Sequence, residues 1–154
     1  MTERAFDSLM RVIERTLAAA LLLAVGLNFI NAAGRYGLGG GLPWADEIQV
    51  YLLVWITFLG AAVASRRNLH LRVDILTRAL PLRLQPALRA LELAATLGMA
   101  GFAAWLSAGY VGRVYALDHA SDGTGFPMWL PHSALTVGFA LIAAGSLLGL
   151  VLRR

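Results

Sequence analysis

The sequence predicts an all-α membrane protein with four transmembrane helices. Four apolar runs occupy most of the chain, at residues 17–33, 48–64, 93–112 and 130–152. Each approaches the roughly 20 residues that a helix needs to cross a bilayer core of about 30 Å. Charged residues make up only 14% of the chain, whereas a soluble domain has about 25%. The length of 154 residues fits one membrane domain spanning residues 1–154.

The predicted elements follow from these runs. Flanking residues extend the spans to about 17–36, 46–66, 90–114 and 130–152. Residues 3–15 form an amphipathic segment with apolar positions at helical spacing. This segment fits either an interfacial helix lying along the membrane surface or the start of a long first helix. Leucines recur between arginines in the middle segment, which predicts further interfacial amphipathic helices there: Leu69, Leu76, Leu80, Leu84 and Leu88.

The first apolar run is predicted to be a retained span and not a signal peptide. It is longer than a typical signal h-region of about 7–15 residues. Its end, Asn31-Ala32-Ala33, also lacks a small residue at the −3 position.

The arginines predict the orientation. All thirteen basic residues are arginine, and eleven lie before the first span, between the second and third spans, or after the fourth. The positive-inside bias therefore predicts both termini in the cytoplasm (N-in, C-in). Trp44 and Trp129 fall where outer interfacial anchors belong.

Composition and spacing argue against several chemistries. The net charge of +4 does not indicate nucleic acid binding, because the charges lie between apolar runs and form no soluble basic face. Cysteine is absent, which excludes disulfides and thiolate metal sites. His70 is predicted on the opposite side from His119 and His132, so facing haem ligands are not expected. We predict no catalytic residue, no cofactor and no metal site.

Two asparagines, Asn28 and Asn31, are the strongly polar residues noted inside a span. They fit a substrate or ion site, or hydrogen bonding between helices, and we favour the second interpretation. No acidic residue lies at the centre of a span. An autonomous ion-coupled transporter usually buries a carboxylate near the midplane, so we expect that this chain does not transport alone.

Two packing features are also predicted. Arg35 faces Asp46 and Glu47 across a short glycine-rich connection, which predicts an ion pair between the first two spans. Reversing the charge of Arg35 should then lower assembly, with rescue by a compensating change at Glu47. A stripe of small residues at four-residue steps predicts close helix packing by the third span: Ala100, Ala104, Ala108 and Gly112.

The most informative segment of the chain is residues 43–76, with the sequence PWADEIQVYLLVWITFLGAAVASRRNLHLRVDIL. The segment resembles the small membrane subunit of tripartite ATP-independent periplasmic (TRAP) transporters. The resemblance extends over nearly the whole chain and is most specific from Glu47 to Asp74. One departure is Pro131-His132-Ser133-Ala134, where a proline-glycine pair a few residues later is expected. The matching positions are Arg35, Tyr36, Trp44, Glu47, Trp55, Gly60, Ala61, Arg66, His70, Val73, Asp74, Pro81, Pro127 and Trp129.

The resemblance implies a small subunit of a sodium-coupled transporter for organic acids in the bacterial inner membrane. Its role would be a non-catalytic scaffold and membrane anchor for the large TRAP membrane subunit. Further partners would be phospholipids and, transiently, a periplasmic substrate-binding protein that touches outer loops 37–47 and 118–131. We assign nine residues to a partner or lipid interface: Asn28, Arg35, Trp44, Glu47, Trp55, Arg66, His70, Asp74 and Trp129.

Two alternatives remain at this stage. A small four-span multidrug-type exporter would need an acidic residue in its first span, where this chain has Asn28. A haem-binding membrane anchor would need paired histidines on facing helices.

Overall fold

The computed structural model describes residues 2–37, 39–66, 81 and 83–152. This part of the chain forms four helices: α1 Thr2–Gly37, α2 Pro43–Arg66, α3 Gln85–Ala116 and α4 Trp129–Leu152. Each is long and apolar enough to cross a membrane. Beyond the helices, the described residues form turns and one isolated β-bridge between Ala120 and Pro127. The prediction of an all-α protein with four membrane-spanning helices is confirmed.

Helix α1 is continuous from Thr2 to Gly37. At 1.5 Å per residue, its 36 residues extend about 54 Å, well beyond a bilayer core of about 30 Å. Residues 3–15 are thus the first turns of a long helix, which was one of the two interpretations left open. Met10 in this segment is buried. The predicted interfacial pieces at Leu69, Leu76 and Leu80 lie outside the described residues.

The helices form a row and not a closed bundle. Helix α1 packs on α2, α2 packs on α4, and α4 packs on α3, while α1 and α4 touch only slightly. We call the end with the α1–α2 and α3–α4 connections the loop end and the opposite end the terminal end. The first connection joins α1 to α2, and the second connection is residues 117–128.

Small residues let the helices approach closely. Five of the buried positions in the described residues are alanine, including Ala45 in α2 and Ala134 in α4, both fully buried. A Cβ added at Gly138 of α4 would lie 2.8 Å from both the Cβ and the carbonyl oxygen of Phe58 in α2. Packing and hydrogen bonds, which replace the hydrophobic drive between helices in lipid, therefore hold the row together.

The packing face of α3 differs from the predicted stripe. Ala100 is buried and Ala104 half-buried, but Ala108 and Gly112 are exposed. A four-residue step turns a helix by about 40° more than one full turn, so the stripe rotates off the contact face. The face instead passes through Ser107, whose hydroxyl accepts a hydrogen bond of 3.0 Å from Thr136 of α4.

Candidate functional site

A polar cluster joins α1 to α2 at the loop end. Arg35 Nη2 lies 2.8 Å from Asp46 Oδ2. Asn31 Nδ2 donates to the other oxygen of Asp46 at 2.8 Å, and Asn31 Oδ1 accepts from the Leu42 backbone at 2.7 Å. Asn31 is only 4% exposed. Asn31, near the end of α1, is therefore bonded both to the first connection and to the Asp46 carboxylate at the start of α2.

The ion pair predicted for Arg35 is present, and its acidic partner is Asp46. Glu47, suggested as the compensating position, is the wrong choice. Consecutive residues of a helix point about 100° apart, so Asp46 and Glu47 cannot both face α1. Glu47 faces the second connection instead.

One turn deeper in α2, a second polar pair links the same helices. Asn28 Nδ2 donates to Gln49 Oε1 at 2.9 Å. Gln49 was overlooked in the sequence, although it lies one turn after Asp46 and inside the second apolar run. Both asparagines of α1 thus form hydrogen bonds between helices.

Glu47 holds the second connection against α2. The Tyr51 hydroxyl donates to its carboxylate, and the side chains of Ser121 and Thr124 lie near it. A Cβ added at Gly123 would lie 2.7 Å from Glu47 Oε2, so the carboxylate would have to shift to make room for a larger residue. The Glu47 carboxylate on α2 therefore holds the loop that joins α3 to α4.

The second connection is a compact loop held by its own backbone hydrogen bonds. Ser121 N donates to Phe126 O at 2.9 Å, and Gly125 N donates to Ser121 O at 2.9 Å. Gly125 has a φ of 68°, which favours glycine. The Phe126 ring stacks on Tyr51 with centroids 5.4 Å apart. The loop thus presents a fixed surface at the loop end.

An open apolar cleft of about 200 Å³ lies beneath this loop, between α2 and the start of α4. Trp55, one of the predicted interface residues, forms part of its wall. The other lining residues are Ile48, Tyr51, Leu52, Phe126, Leu130 and Pro131. With so little polar lining, the cleft suits contact with apolar groups.

The remaining predicted residues are spread over both ends. Trp44 is exposed at the start of α2, and Trp129 packs edge-on against Tyr115 with centroids 5.8 Å apart. Arg66 lies at the terminal end, where its Nε is 3.0 Å from Asp7 Oδ1. His70 and Asp74 lie outside the described residues. The predicted residues therefore lie in separate contacts and do not form one cluster.

Within the described part of the chain, the histidines and acidic residues form no metal-binding arrangement. In residues 2–37, 39–66, 81 and 83–152, no three His, Cys, Asp or Glu side chains are grouped to hold a metal ion. His132 packs edge-on against Tyr110, with ring centroids 4.9 Å apart.

Residues 24–154 match the family model described as "Tripartite ATP-independent periplasmic transporters, DctQ component". The chain belongs to the DctQ family of TRAP transporters. This DctQ chain is a multi-pass membrane protein, and the family assignment agrees with the resemblance seen in the sequence.

Individual relatives carry the same family name. The chain is 28% identical over 136 residues to the "Ectoine TRAP transporter small permease protein TeaB" of Halomonas elongata, covering 88% of this chain and 70% of the relative. It is 32% identical over 104 residues to the "C4-dicarboxylate TRAP transporter small permease protein DctQ" of Rhodobacter capsulatus, covering 68% of this chain and 46% of the relative. The matched part therefore spans less than half of the Rhodobacter protein.

A third relative joins the DctQ-like part to a longer chain. The "Isethionate TRAP transporter permease protein DctMQ" of Oleidesulfovibrio alaskensis is 27% identical over 100 residues. These residues are 65% of this chain but only 16% of that relative. In that protein, the DctQ-like segment is a minor part of one longer permease polypeptide.

Proposed function

We propose that this DctQ chain is the small permease subunit of a sodium-coupled TRAP transporter for an organic acid. It acts as a non-catalytic scaffold that holds the large membrane subunit in the bacterial inner membrane. Family membership and the relatives' names support the transporter over the exporter and haem-anchor alternatives. Relatives named for C4-dicarboxylate and isethionate transport support an organic acid as substrate.

The shape of the helix row carries the scaffold proposal. A row that is one helix thick has almost no interior, and few side chains in the described part of the chain are buried. Large apolar side chains on its outer helices are exposed, for example Leu22 at 74% and Trp105 at 72%. A substrate pathway through the membrane needs enclosing walls, so a second, larger protein would supply the pathway and cover part of this surface.

The charge distribution supports the proposed topology. Both described chain ends, Thr2 and Leu152, belong to the terminal end, as does the Arg66–Asp7 pair. Most arginines flank this end of the spans, so we place it in the cytoplasm and the loop end in the periplasm. The second connection, held by Glu47, would then present a fixed surface to the periplasmic substrate-binding protein. Lipid headgroups would meet the arginines at the terminal end.

Reconstitution tests the proposal. The large subunit of the same transporter is reconstituted into proteoliposomes with or without this chain. The substrate-binding protein is added outside, and an inward sodium gradient is imposed. Uptake of radiolabelled C4-dicarboxylate, isethionate and ectoine is measured. We expect uptake of at least one solute only with all three proteins and sodium. Uptake by this chain alone, or undiminished uptake without it, would overturn the proposal.

A further inference from the structure

The Asn28–Gln49 pair lies well inside the span. Asn28 precedes Arg35 by seven residues, which at 1.5 Å per residue places it about 10 Å deeper than the Arg35–Asp46 ion pair. Its neighbours on α1, Val25 and Phe29, are exposed apolar residues. The two amide side chains therefore lie at a depth where the surrounding lipid is hydrocarbon and provides no hydrogen-bonding groups.

The hydrogen bonding of this pair is incomplete. Asn28 donates through Nδ2 to Gln49 Oε1, and no other bond of Asn28 occurs among the described residues. Gln49 Nε2 is buried and has no partner there. Asn28 Oδ1 and Gln49 Nε2 thus have no hydrogen-bond partner among the described residues, and Asn28 is an exposed residue. Lipid tails cannot satisfy either group, so leaving them unpaired in the bilayer is costly.

We propose that this part of the α1–α2 face is where a transmembrane helix of the large permease subunit docks. The inference rests on the proposed function and adds a location and a chemistry to it. The docking helix carries a hydroxyl or carboxamide side chain, which donates a hydrogen bond to Oδ1 of the exposed residue Asn28. Val50 and Leu53, exposed at 58% and 59%, lie beside Gln49 on α2 and provide the apolar contact around this polar centre.

Two observations select this occupant. Headgroups lie at the bilayer surface, about the level of the Arg35–Asp46 pair, and do not reach the depth of the amides. A transmembrane helix carries polar side chains at any depth. In the DctMQ relative, the DctQ-like segment and the rest of the permease are one polypeptide, which keeps the two next to each other.

The first test compares two double variants in the complex purified with the large subunit. Asn28→Leu/Gln49→Leu removes both amides together, so the chain retains no half-satisfied pair. We expect the thermal stability of the purified chain alone to be unchanged or higher. Its association constant for the large subunit should fall by about three- to tenfold, the range of one or two hydrogen bonds between membrane helices.

The matched control is Ser107→Ala/Thr136→Val. This variant removes a hydrogen bond between α3 and α4 that is internal to the chain. It should lower the stability of the chain alone and leave the association constant unchanged. If the amide variant instead behaves like this control, the amides serve only the chain's own fold and the proposal is wrong.

The second test places a photo-crosslinking amino acid at Leu53 during expression with the large subunit. The proposal requires a product with the mass of both subunits. A product containing two copies of this chain, or lipid adducts only, would overturn it and identify the actual occupant. If the wild-type chain does not co-purify with the large subunit at all, the proposed function itself fails. If the complex purifies but Leu53 gives no such product, only the docking face is wrong.

Discussion

The contact between Gly138 and Phe58 predicts a large effect from one added methyl group. A Cβ at position 138 would lie 2.8 Å from the Phe58 carbonyl oxygen, which is backbone and cannot rotate away. The α2–α4 contact would have to open, and overpacking of this kind costs about 1–3 kcal/mol. The row has no second layer to compensate, because α2 and α4 are its two central helices.

A matched substitution isolates this packing cost. Gly98→Ala in α3 is the same change in a helix interior, but its Cβ would meet nothing within 4 Å. Both variants gain the helix propensity of alanine, about 1 kcal/mol. The difference between Gly138→Ala and Gly98→Ala therefore reports packing alone, about 1–3 kcal/mol.

Reversible unfolding in mixed detergent micelles, followed by circular dichroism, measures both free energies of unfolding. We expect Gly98→Ala to be as stable as the wild type or more stable, and Gly138→Ala to be less stable than Gly98→Ala. Equal stability of the two variants would refute the close packing of α2 on α4 and, with it, the order of helices in the row.

Three further predictions concern the connections and the orientation. Arg35→Glu should destabilise the chain by about 1 kcal/mol, because the ion pair is half-exposed; adding Asp46→Arg should restore only part of the lost stability in the same unfolding assay, since the buried Asn31 Nδ2 then loses its carboxylate acceptor, and adding Glu47→Arg should restore none of it. Glu47→Ala should increase cleavage of the second connection by a broad-specificity protease, because the loop loses its carboxylate anchor; an unchanged cleavage rate would contradict that role. Since the chain has no cysteine, single cysteines report topology: a membrane-impermeant maleimide should label Asp122→Cys in spheroplasts but label Ser8→Cys only after lysis, and the reverse pattern would invert the proposed orientation.

The sequence predicts the four helices because lipid imposes simple requirements on them. A span needs a long apolar run with every backbone group bonded internally, and both features are visible in a single segment. The pairing of Arg35 with the start of α2 was also predictable, since a short connection leaves its two ends close together. These are local features, and they need no knowledge of how the helices are arranged.

The rest of the site depends on contacts between distant parts of the chain. Glu47 faces the second connection, where Ser121 and Thr124 lie near its carboxylate, and these residues are far from Glu47 in the sequence. Gln49 was missed because it is one polar residue in an apolar run, and only its bond to Asn28 reveals its role. Four-residue spacing likewise misplaced the α3 contact face, because a helix has 3.6 residues per turn.

The row arrangement itself has a physical cause that bears on function. In water, exposed residues such as Leu22 and Trp105 would drive the helices to close into a bundle. In lipid that drive is absent, so the helices stay together only where small residues or hydrogen bonds join them. The joined surfaces are those between α1 and α2, α2 and α4, and α4 and α3. A row leaves both of its broad faces available for contact. A polar pair on one face can then select a partner by hydrogen bonding, while the apolar side chains around the pair are compatible with lipid. Such a chain gains a specific partner surface without needing an interior of its own.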